Sequence, residues 1–195
     1  PLRGVAILIN AFNFPAWGLW EKAAPALLSG VPVLAKPATA TAWLTQRMVE
    51  DVVKAGVLPE GALSIICGGA GDLLDHVSGA DVVSFTGSAE TALRIRGHAA
   101  VLRNSTRVNV EADSLNAALL GPEASPGTPE FDLLVREVVR EMTIKAGQKC
   151  TAIRRVIVPA AQRGAVEEAI RAKLAKTVVG NPRNKVETWA STSPA

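Results

Sequence analysis

Residues 4–37, GVAILINAFNFPAWGLWEKAAPALLSGVPVLAKP, hold two short apolar runs separated by a loop and a helical pattern. The first run, Gly4–Asn10, predicts a buried strand, and the second, Val31–Ala35, predicts another. Between them, Trp20–Leu28 has the pattern of a helix, and a glycine follows it closely. A strand, a helix and a second strand in this order are typical of α/β folds with a parallel sheet.

The same alternation continues along the chain. Further strands are predicted at Leu63–Cys67, Asp81–Phe85, Arg107–Glu111, Asn116–Leu120 and Ile153–Pro159, and further helices at Thr39–Ala55, Asp72–His76, Ala89–Arg96, residues 131–142 and Gln162–Leu174. This alternation predicts an α/β fold whose sheet is mostly parallel. A loop rich in proline, glycine and serine, residues 121–129, marks a change in composition. We therefore expect a domain boundary between Asp113 and Gly121.

The composition argues against several kinds of partner. The chain has 195 residues, of which 48% are hydrophobic, and this is enough for a hydrophobic core. Its net charge of +3 is spread along the chain, so we expect no nucleic-acid partner. No apolar run approaches the roughly 18 residues that a membrane span needs, so we expect no membrane partner.

The cysteines and histidines bear on the cellular compartment and on metal binding. Cys67 and Cys150 do not make a disulfide framework, so a reducing compartment is expected and the cytoplasm is the predicted location. His76 and His98 are too few and too isolated to make a metal site, so no metal is predicted.

Cys150 lies in a short polar turn, Gly147-Gln148-Lys149-Cys150-Thr151, between a helical pattern and a strand pattern. The glycine permits backbone angles that other residues avoid, which suits a tight turn. Four basic residues lie near the thiol in the sequence: Lys145, Lys149, Arg154 and Arg155. Because positive charge favours the nucleophilic thiolate, Cys150 is a candidate nucleophile; a buried structural cysteine is the alternative.

Five polar features fall at or after predicted strand ends, where ligands gather in parallel α/β sheets. They are Asn10–Asn13, Lys36, Thr86–Ser88, Glu111 and the Cys150 turn. Each also has a structural alternative. Asn13 would tie down its loop, Lys36 and Glu111 would be surface charges, and Thr86–Ser88 would cap a helix. Their convergence on strand ends favours a binding or catalytic site.

Five motifs resemble those of the aldehyde dehydrogenase superfamily in order and approximate spacing, from Pro1 to about Pro182. They are Asn13-Phe14-Pro15, Lys36-Pro37-Ala38, Phe85-Thr86-Gly87-Ser88, Glu111 and Gly147-Gln148-Lys149-Cys150. Within that superfamily, Glu111–Asn116 and Lys145–Arg155 look most like the semialdehyde dehydrogenases of bacterial aromatic-acid catabolism, a group that includes those of the phenylacetate and benzoyl-CoA pathways.

The resemblance implies a partial aldehyde dehydrogenase fold. A Rossmann-like NAD(P)-binding domain is expected at residues 1–113, the start of an α/β catalytic domain at residues 114–182, and a polar tail at residues 183–195. It also implies an oxidoreductase mechanism. Cys150 attacks the aldehyde to form a thiohemiacetal whose oxyanion is held by Asn13 and the Cys150 backbone N–H. Loss of hydride leaves a thioester, and Glu111 activates the water that releases the acid.

The resemblance further implies a nicotinamide cofactor. The residues expected to bind it are Phe12, Lys36, Thr39, Gly87 and Ser88. Many NAD-preferring members have a glutamate at the position of Thr39. The neutral hydroxyl here, together with the charge of Lys36, predicts NADP, with NAD as the alternative. The implied substrate is an aldehyde, expected to be CoA-linked, and the implied parent enzyme is a homo-oligomer.

Two other functions compete with this hypothesis. Members of the superfamily are longer than this chain, so a truncated, non-catalytic α/β module that binds nucleotide at most is the main alternative. A cysteine acyltransferase would need a histidine or another base near Cys150, and the sequence places none in a matching motif.

Overall fold

A computed structural model describes residues 3–180 of the chain. Its internal contacts divide the chain into two compact units, Pro1–Asp113 and Ser114–Ala195. The roles expected for them, cofactor binding in the first and the start of a catalytic domain in the second, stay predictions. The predicted polar tail, residues 183–195, lies outside the described residues.

The first unit is built on a five-stranded sheet in which every pairing is parallel. Its strands are β1 (Ala6–Ile9), β2 (Val33–Lys36), β3 (Leu63–Ile65), β4 (Val82–Gly87) and β5 (Arg107–Ala112). Their order across the sheet is β3-β2-β1-β4-β5. The prediction of a parallel α/β fold is therefore confirmed.

Helices of the first unit follow the strands. They are α1 (Trp17–Leu28), α2 (Ala42–Lys54), α3 (Ala89–Arg96) and α4 (Ala99–Arg103), with single 3-10 turns at Thr39–Thr41 and Leu73–His76. The central strand β1 is buried on both faces because successive side chains point in opposite directions. Leu8 packs in one hydrophobic cluster with Leu19 of α1, and Ile7 packs in a second cluster with Ile95 of α3. Hydrophobic packing on both faces of a parallel sheet is the doubly wound arrangement.

Some local predictions were wrong at element boundaries. Helix α1 begins at Trp17, three residues before the prediction. Thr86 and Gly87, which follow the predicted strand Asp81–Phe85, extend β4, because the pairing with β5 continues to Glu111 and Ala112. Helix α4 escaped prediction because five residues are too few to display a periodicity.

The second unit contains a separate, two-stranded parallel sheet formed by β6 (Ala117–Leu119) and β7 (Arg155–Ile157). Its helices are α5 (Pro129–Thr143) and α6 (Arg163–Leu174), with 3-10 segments at Ile144–Gly147 and Ala160–Gln162. Helix α5 begins where the Thr128 side chain accepts a hydrogen bond from the Phe131 amide, and a proline occupies its first position. Its buried face packs on α6 through Val166.

None of the helices within residues 3–180 is long and apolar enough to cross a membrane.

Candidate active site

The order of the first sheet reverses at β1. From β1 the chain proceeds to β2 and β3 on one side, and then to β4 and β5 on the other. In open α/β sheets, ligands bind outside the carboxyl ends of the strands at such a reversal. The ends of β1 and β4 therefore mark the expected crevice of this unit.

Lys22 of α1 links the ends of β1 and β4. Its Nζ donates to Oδ1 of Asn10 over 3.3 Å and to Oγ1 of Thr86. Oγ1 of Thr86 in turn donates to Oε2 of Glu111 over 3.5 Å. Because an ammonium group only donates, the Thr86 hydroxyl accepts from Lys22 and directs its own proton to the carboxylate. These four side chains form a polar chain that ends on Glu111.

The electrostatics of Lys22 reflect this position. Partial burial lowers the pKa of Lys22 from its usual value, while the charges of Glu21 and Glu111 act in the opposite direction. The sequence analysis missed Lys22. A signal was present, however, because Lys22 follows Leu19 by three residues and precedes Ala23, and both of these side chains are fully buried. A lysine on the buried face of a helix calls for a polar partner.

Asn10 is buried, with only 5% of its surface exposed. Its carbonyl oxygen Oδ1 faces Lys22, which places Nδ2 on the other side of the amide. Nδ2 has no hydrogen-bond acceptor within residues 3–180. A buried donor of this kind, beside the point where the sheet order reverses, suits a polar ligand group.

Three predicted cofactor residues lie near the carboxyl ends of β1 and β2. The Phe12 side chain is 43% exposed, and the backbone carbonyl of Phe12 accepts a hydrogen bond from Thr41 Oγ1 over 3.1 Å. Lys36 is the last residue of β2 and is half-buried. The Thr39 hydroxyl is exposed and donates to the Gly68 carbonyl over 3.4 Å. The cofactor roles of these three residues stay predictions.

The other two predicted cofactor residues have structural roles. A Cβ on Gly87 would lie 2.5 Å from Cζ of Phe85, so a side chain there would have to displace the buried Phe85 ring. Ser88 caps α3 by accepting from the Thr91 amide over 3.3 Å. The Ala89 amide donates to Oδ1 of Asp113 over 3.1 Å, so two first-turn amides already have acceptors. This arrangement weakens the case for a phosphate at that helix end, and the cofactor roles of Gly87 and Ser88 stay predictions.

Cys150 of the second unit is exposed and free, as is Cys67 of the first. The backbone carbonyl of Cys150 accepts hydrogen bonds from the Ser114 hydroxyl and, over 2.7 Å, from Nδ2 of Asn116. The Asn116 carbonyl accepts from the amides of Arg154 and Arg155 at the start of β7. Ser114 and Asn116 thus hold the backbone at Cys150, a role that the sequence analysis did not assign.

The basic residues of the Cys150 turn bind other groups of the second unit. Nζ of Lys149 forms an ion pair with Oε1 of Glu141 over 2.7 Å. Nη2 of Arg154 donates to the carbonyls of Gly147 and Lys149 over 3.2 and 3.3 Å. Burial lowers the pKa of Lys145. Two of the four basic residues expected near the thiol, Lys149 and Arg154, therefore also make structural contacts within the second unit.

The three predicted catalytic residues are divided between the units. Asn13 lies half-buried in the loop between β1 and α1, and Glu111 is an exposed residue of β5, both in the first unit. Cys150 belongs to the second unit. The assembly of these residues into one site stays a prediction. Within the described part of the chain, no group of three or more His, Cys, Asp or Glu side chains is arranged to hold a metal ion.

Comparisons with known proteins agree on one family. The sequence profile of the aldehyde dehydrogenase family matches residues 1–193. A 3,4-dehydroadipyl-CoA semialdehyde dehydrogenase from Aromatoleum evansii is 69% identical over 185 residues, which make up 95% of this chain and 36% of that protein.

Solved structures give the same result. Betaine aldehyde dehydrogenase from Staphylococcus aureus, in complex with NAD+, matches 96% of this chain and 36% of its own, with a TM-score of 0.82 and 28% identity. NADP-dependent glyceraldehyde-3-phosphate dehydrogenase from Bacillus halodurans, in complex with NADP, matches 92% of this chain and 36% of its own, with a TM-score of 0.79 and 30% identity. The chain thus spans about a third of the length of the relatives it matches.

Proposed function

Because the chain belongs to the aldehyde dehydrogenase family, we propose that it is part of an enzyme that oxidises an aldehyde to a carboxylic acid with a nicotinamide cofactor. The proposed substrate is a CoA-linked semialdehyde of aromatic-acid catabolism, since a relative with 69% identity is named for a CoA semialdehyde. The observation that carries the proposal is the polar chain from Lys22 through Thr86 to Glu111, because it orients a carboxylate at the end of a strand.

Cys150 is the proposed nucleophile. Its thiolate attacks the aldehyde carbon, forms the C–S bond and moves the carbonyl electron pair onto oxygen. The side-chain amide of Asn13 and the backbone N–H of Cys150 are the proposed donors to this oxyanion. Ser114 and Asn116 support the assignment, because their hydrogen bonds to the Cys150 carbonyl fix the peptide next to the reacting group.

A bound nicotinamide ring supplies the hydride acceptor for the oxidation, which leaves the acyl group on Cys150 as a thioester. Glu111 then takes a proton from water, the resulting hydroxide attacks the thioester carbon, and the carboxylic acid leaves as the thiolate is restored. The Thr86 hydroxyl donates a hydrogen bond to one oxygen of Glu111 and so orients the carboxylate that is proposed as the base.

The first unit fits a nicotinamide dinucleotide. The sheet order reverses at β1, and the buried Asn10 amide beside the end of that strand carries a donor with no acceptor in residues 3–180. Phe12, Lys36 and Thr39 are the residues proposed to hold the cofactor. We propose NADP rather than NAD, because Thr39 carries no negative charge and the Lys36 ammonium attracts a 2′-phosphate.

Thr39→Glu is expected to reverse this preference. A carboxylate near the 2′-phosphate should weaken NADP binding by about tenfold or more through like-charge repulsion, and it should leave NAD binding unchanged or tighter. Dissociation constants from calorimetry measure the effect without any turnover. The matched control is Ala40→Glu, which adds the same charge at the next exposed residue. Equal losses of NADP and NAD affinity in Thr39→Glu would contradict the NADP assignment.

The proposed activity is tested by measuring the absorbance of reduced nicotinamide that forms when an aldehyde is added. The 195-residue chain is compared with Cys150→Ala and with Cys67→Ala, which removes the other free cysteine. We expect Cys150→Ala to abolish the signal, because no other group replaces the attacking thiolate, and Cys67→Ala to retain it. An equal rate in Cys150→Ala would rule out the proposed mechanism.

The alternative is a non-catalytic module that binds nucleotide at most. The observation in its favour is the 36% share of the relatives' length that the chain covers. A folded chain that binds NADP but reduces none of it with an aldehyde would support this alternative. Cytoplasmic location and a homo-oligomeric parent enzyme complete the proposal; the two free cysteines support a reducing compartment.

A further inference from the structure

The Cys150 turn rests on an ion pair that the proposed reaction does not use. Glu141 lies in the last turn of α5, and Lys149 directly precedes Cys150. Nζ of Lys149 is 2.7 Å from Oε1 of Glu141, and the two side chains are only 21% and 15% exposed. By contrast, the ion pairs of Arg47, Lys54, Arg94, Arg136, Arg140 and Arg163 each have at least one side chain that is more than half exposed. This pair is therefore set apart by its burial.

The segment that the pair spans has an unfavourable backbone. Lys145, Ala146 and Gly147 have φ values of 50°, 53° and 72°, which lie in the left-handed region. This region suits glycine but not lysine or alanine, because their Cβ atoms crowd the backbone. Two consecutive non-glycine residues in this region, Lys145 and Ala146, persist only where the surrounding contacts hold them.

Those contacts lie at both ends of the strained segment. On one side, Glu141 binds Lys149. On the other, the Arg154 guanidinium binds the carbonyls of Gly147 and Lys149. Glu141 is the member of this set that connects the turn to the packed helix α5, whose residues Val135 and Val138 lie in the core of the second unit.

The burial of the Glu141 carboxylate is energetically unfavourable, which is unexpected for a residue that serves stability alone. Its Oε2 is buried and receives no hydrogen bond within residues 3–180. A buried carboxylate that is only half satisfied is less favourable than an apolar side chain of similar size. The unfavourable burial of Glu141 has an explanation if its pair with Lys149 sets the position of Cys150.

We infer that Glu141 and Lys149 are positioning residues, which hold the strained turn so that Cys150 is presented for attack. The inference rests on the proposed role of Cys150 as nucleophile. Neither residue touches the substrate in this assignment. Glu141 acts through Lys149, and Lys149 acts through the backbone of the turn.

Hydrogen exchange tests the inference without any turnover. The reporters are the amides of Gln148 and Ala152, which donate to the carbonyls of Lys145 and Lys149. In Glu141→Gln, we expect these two amides to exchange at least about tenfold faster, because the Lys149 ammonium loses its counter-charge at a partly buried site. Amides in the buried part of α5 should keep their protection, since the loss is local.

Two further variants sharpen the test. Glu137→Gln is the matched control, one helical turn earlier on α5, where the carboxylate pairs with exposed Arg136 and Arg140. It should leave the turn amides unchanged. The charge-reversed double variant, Glu141→Lys with Lys149→Glu, should restore most of the protection because it rebuilds the pair. If Glu141→Gln fails to fold, Glu141→Asp, which keeps the charge on a shorter side chain, takes its place with the same expectation.

The inference is overturned if Glu141→Gln matches Glu137→Gln, or if exchange rises equally throughout α5. It is also overturned if charge reversal restores nothing. Turnover provides a second readout: kcat should fall about tenfold with KM unchanged, as expected for misplacement of a reacting group. A wild-type chain without turnover counts against the proposed function alone, because the exchange measurement still decides the role of the pair.

Discussion

Glu111→Gln is expected to stop steady-state turnover while leaving a single burst of reduced nicotinamide. The oxidation of the aldehyde needs the Cys150 thiolate and a hydride acceptor, and neither is removed by this change. Hydrolysis of the thioester needs a base, and glutamine cannot accept the proton of water. Because a general base contributes roughly 10²- to 10⁴-fold, we expect turnover to fall by about that factor.

Rapid mixing measures both parts of this prediction. The burst amplitude should approach one equivalent of reduced cofactor per Cys150, and the acylated chain should be detectable by mass spectrometry. Glu21→Gln is the matched control, because Glu21 also acts on the charge of Lys22 but binds Trp17 rather than Thr86. Loss of the burst together with turnover would assign Glu111 to an earlier step than the one proposed.

Gly4→Ala is expected to destabilise the first unit severely. A Cβ on Gly4 would lie 1.8 Å from the carbonyl oxygen of Ala80 and 2.3 Å from its carbon, far inside contact distance. The colliding atoms belong to the backbone, and the neighbouring backbone is held in place. The Val5 amide donates to Oδ1 of Asp81 over 2.7 Å, and the Val82 amide donates to the Val5 carbonyl over 3.0 Å.

These hydrogen bonds restrict any backbone shift that would relieve the clash before β1. We expect the free energy of unfolding to fall by at least about 3 kcal/mol, the upper part of the range for overpacked sites. Denaturant titration measures it. Gly69→Ala is the control, because a Cβ there meets no atom within 4 Å and the backbone is outside the left-handed region. Equal unfolding midpoints for the two variants would disprove the packing argument.

Lys22 shows why part of the candidate site escaped sequence analysis. Asn10 and Thr86 were noted as polar residues near strand ends, and both are near the site. Lys22 and Thr86 are 64 residues apart, however, and they meet only because β1 and β4 are neighbours in the sheet. A local pattern carries no information on that pairing. The same reasoning applies to Ser114 and Asn116, which reach Cys150 from 36 and 34 residues away.

Gly87 and Ser88 show a different limit of sequence analysis: the residues were noted, but their residue types do not decide their roles. Their motif was interpreted as a cofactor contact, which stays a prediction, and both residues also make contacts within the fold: the ring of Phe85 lies against Gly87, and Ser88 caps α3. A glycine at the end of a strand and a serine at a helix start can each serve packing or ligand binding, so the residue type alone does not choose between these roles. Only the contacts around each residue distinguish packing from binding.

The sequence by itself determined the α/β class, most of the strands and helices, and membership of the aldehyde dehydrogenase family, because these depend on local periodicity and on motifs that are contiguous in the chain. The tertiary structure alone decided the strand order β3-β2-β1-β4-β5, the link from Lys22 through Thr86 to Glu111, and the partly buried pair of Glu141 and Lys149 beside Cys150. These features depend on which distant segments become neighbours, and that is set by packing of the whole unit rather than by any one stretch of residues.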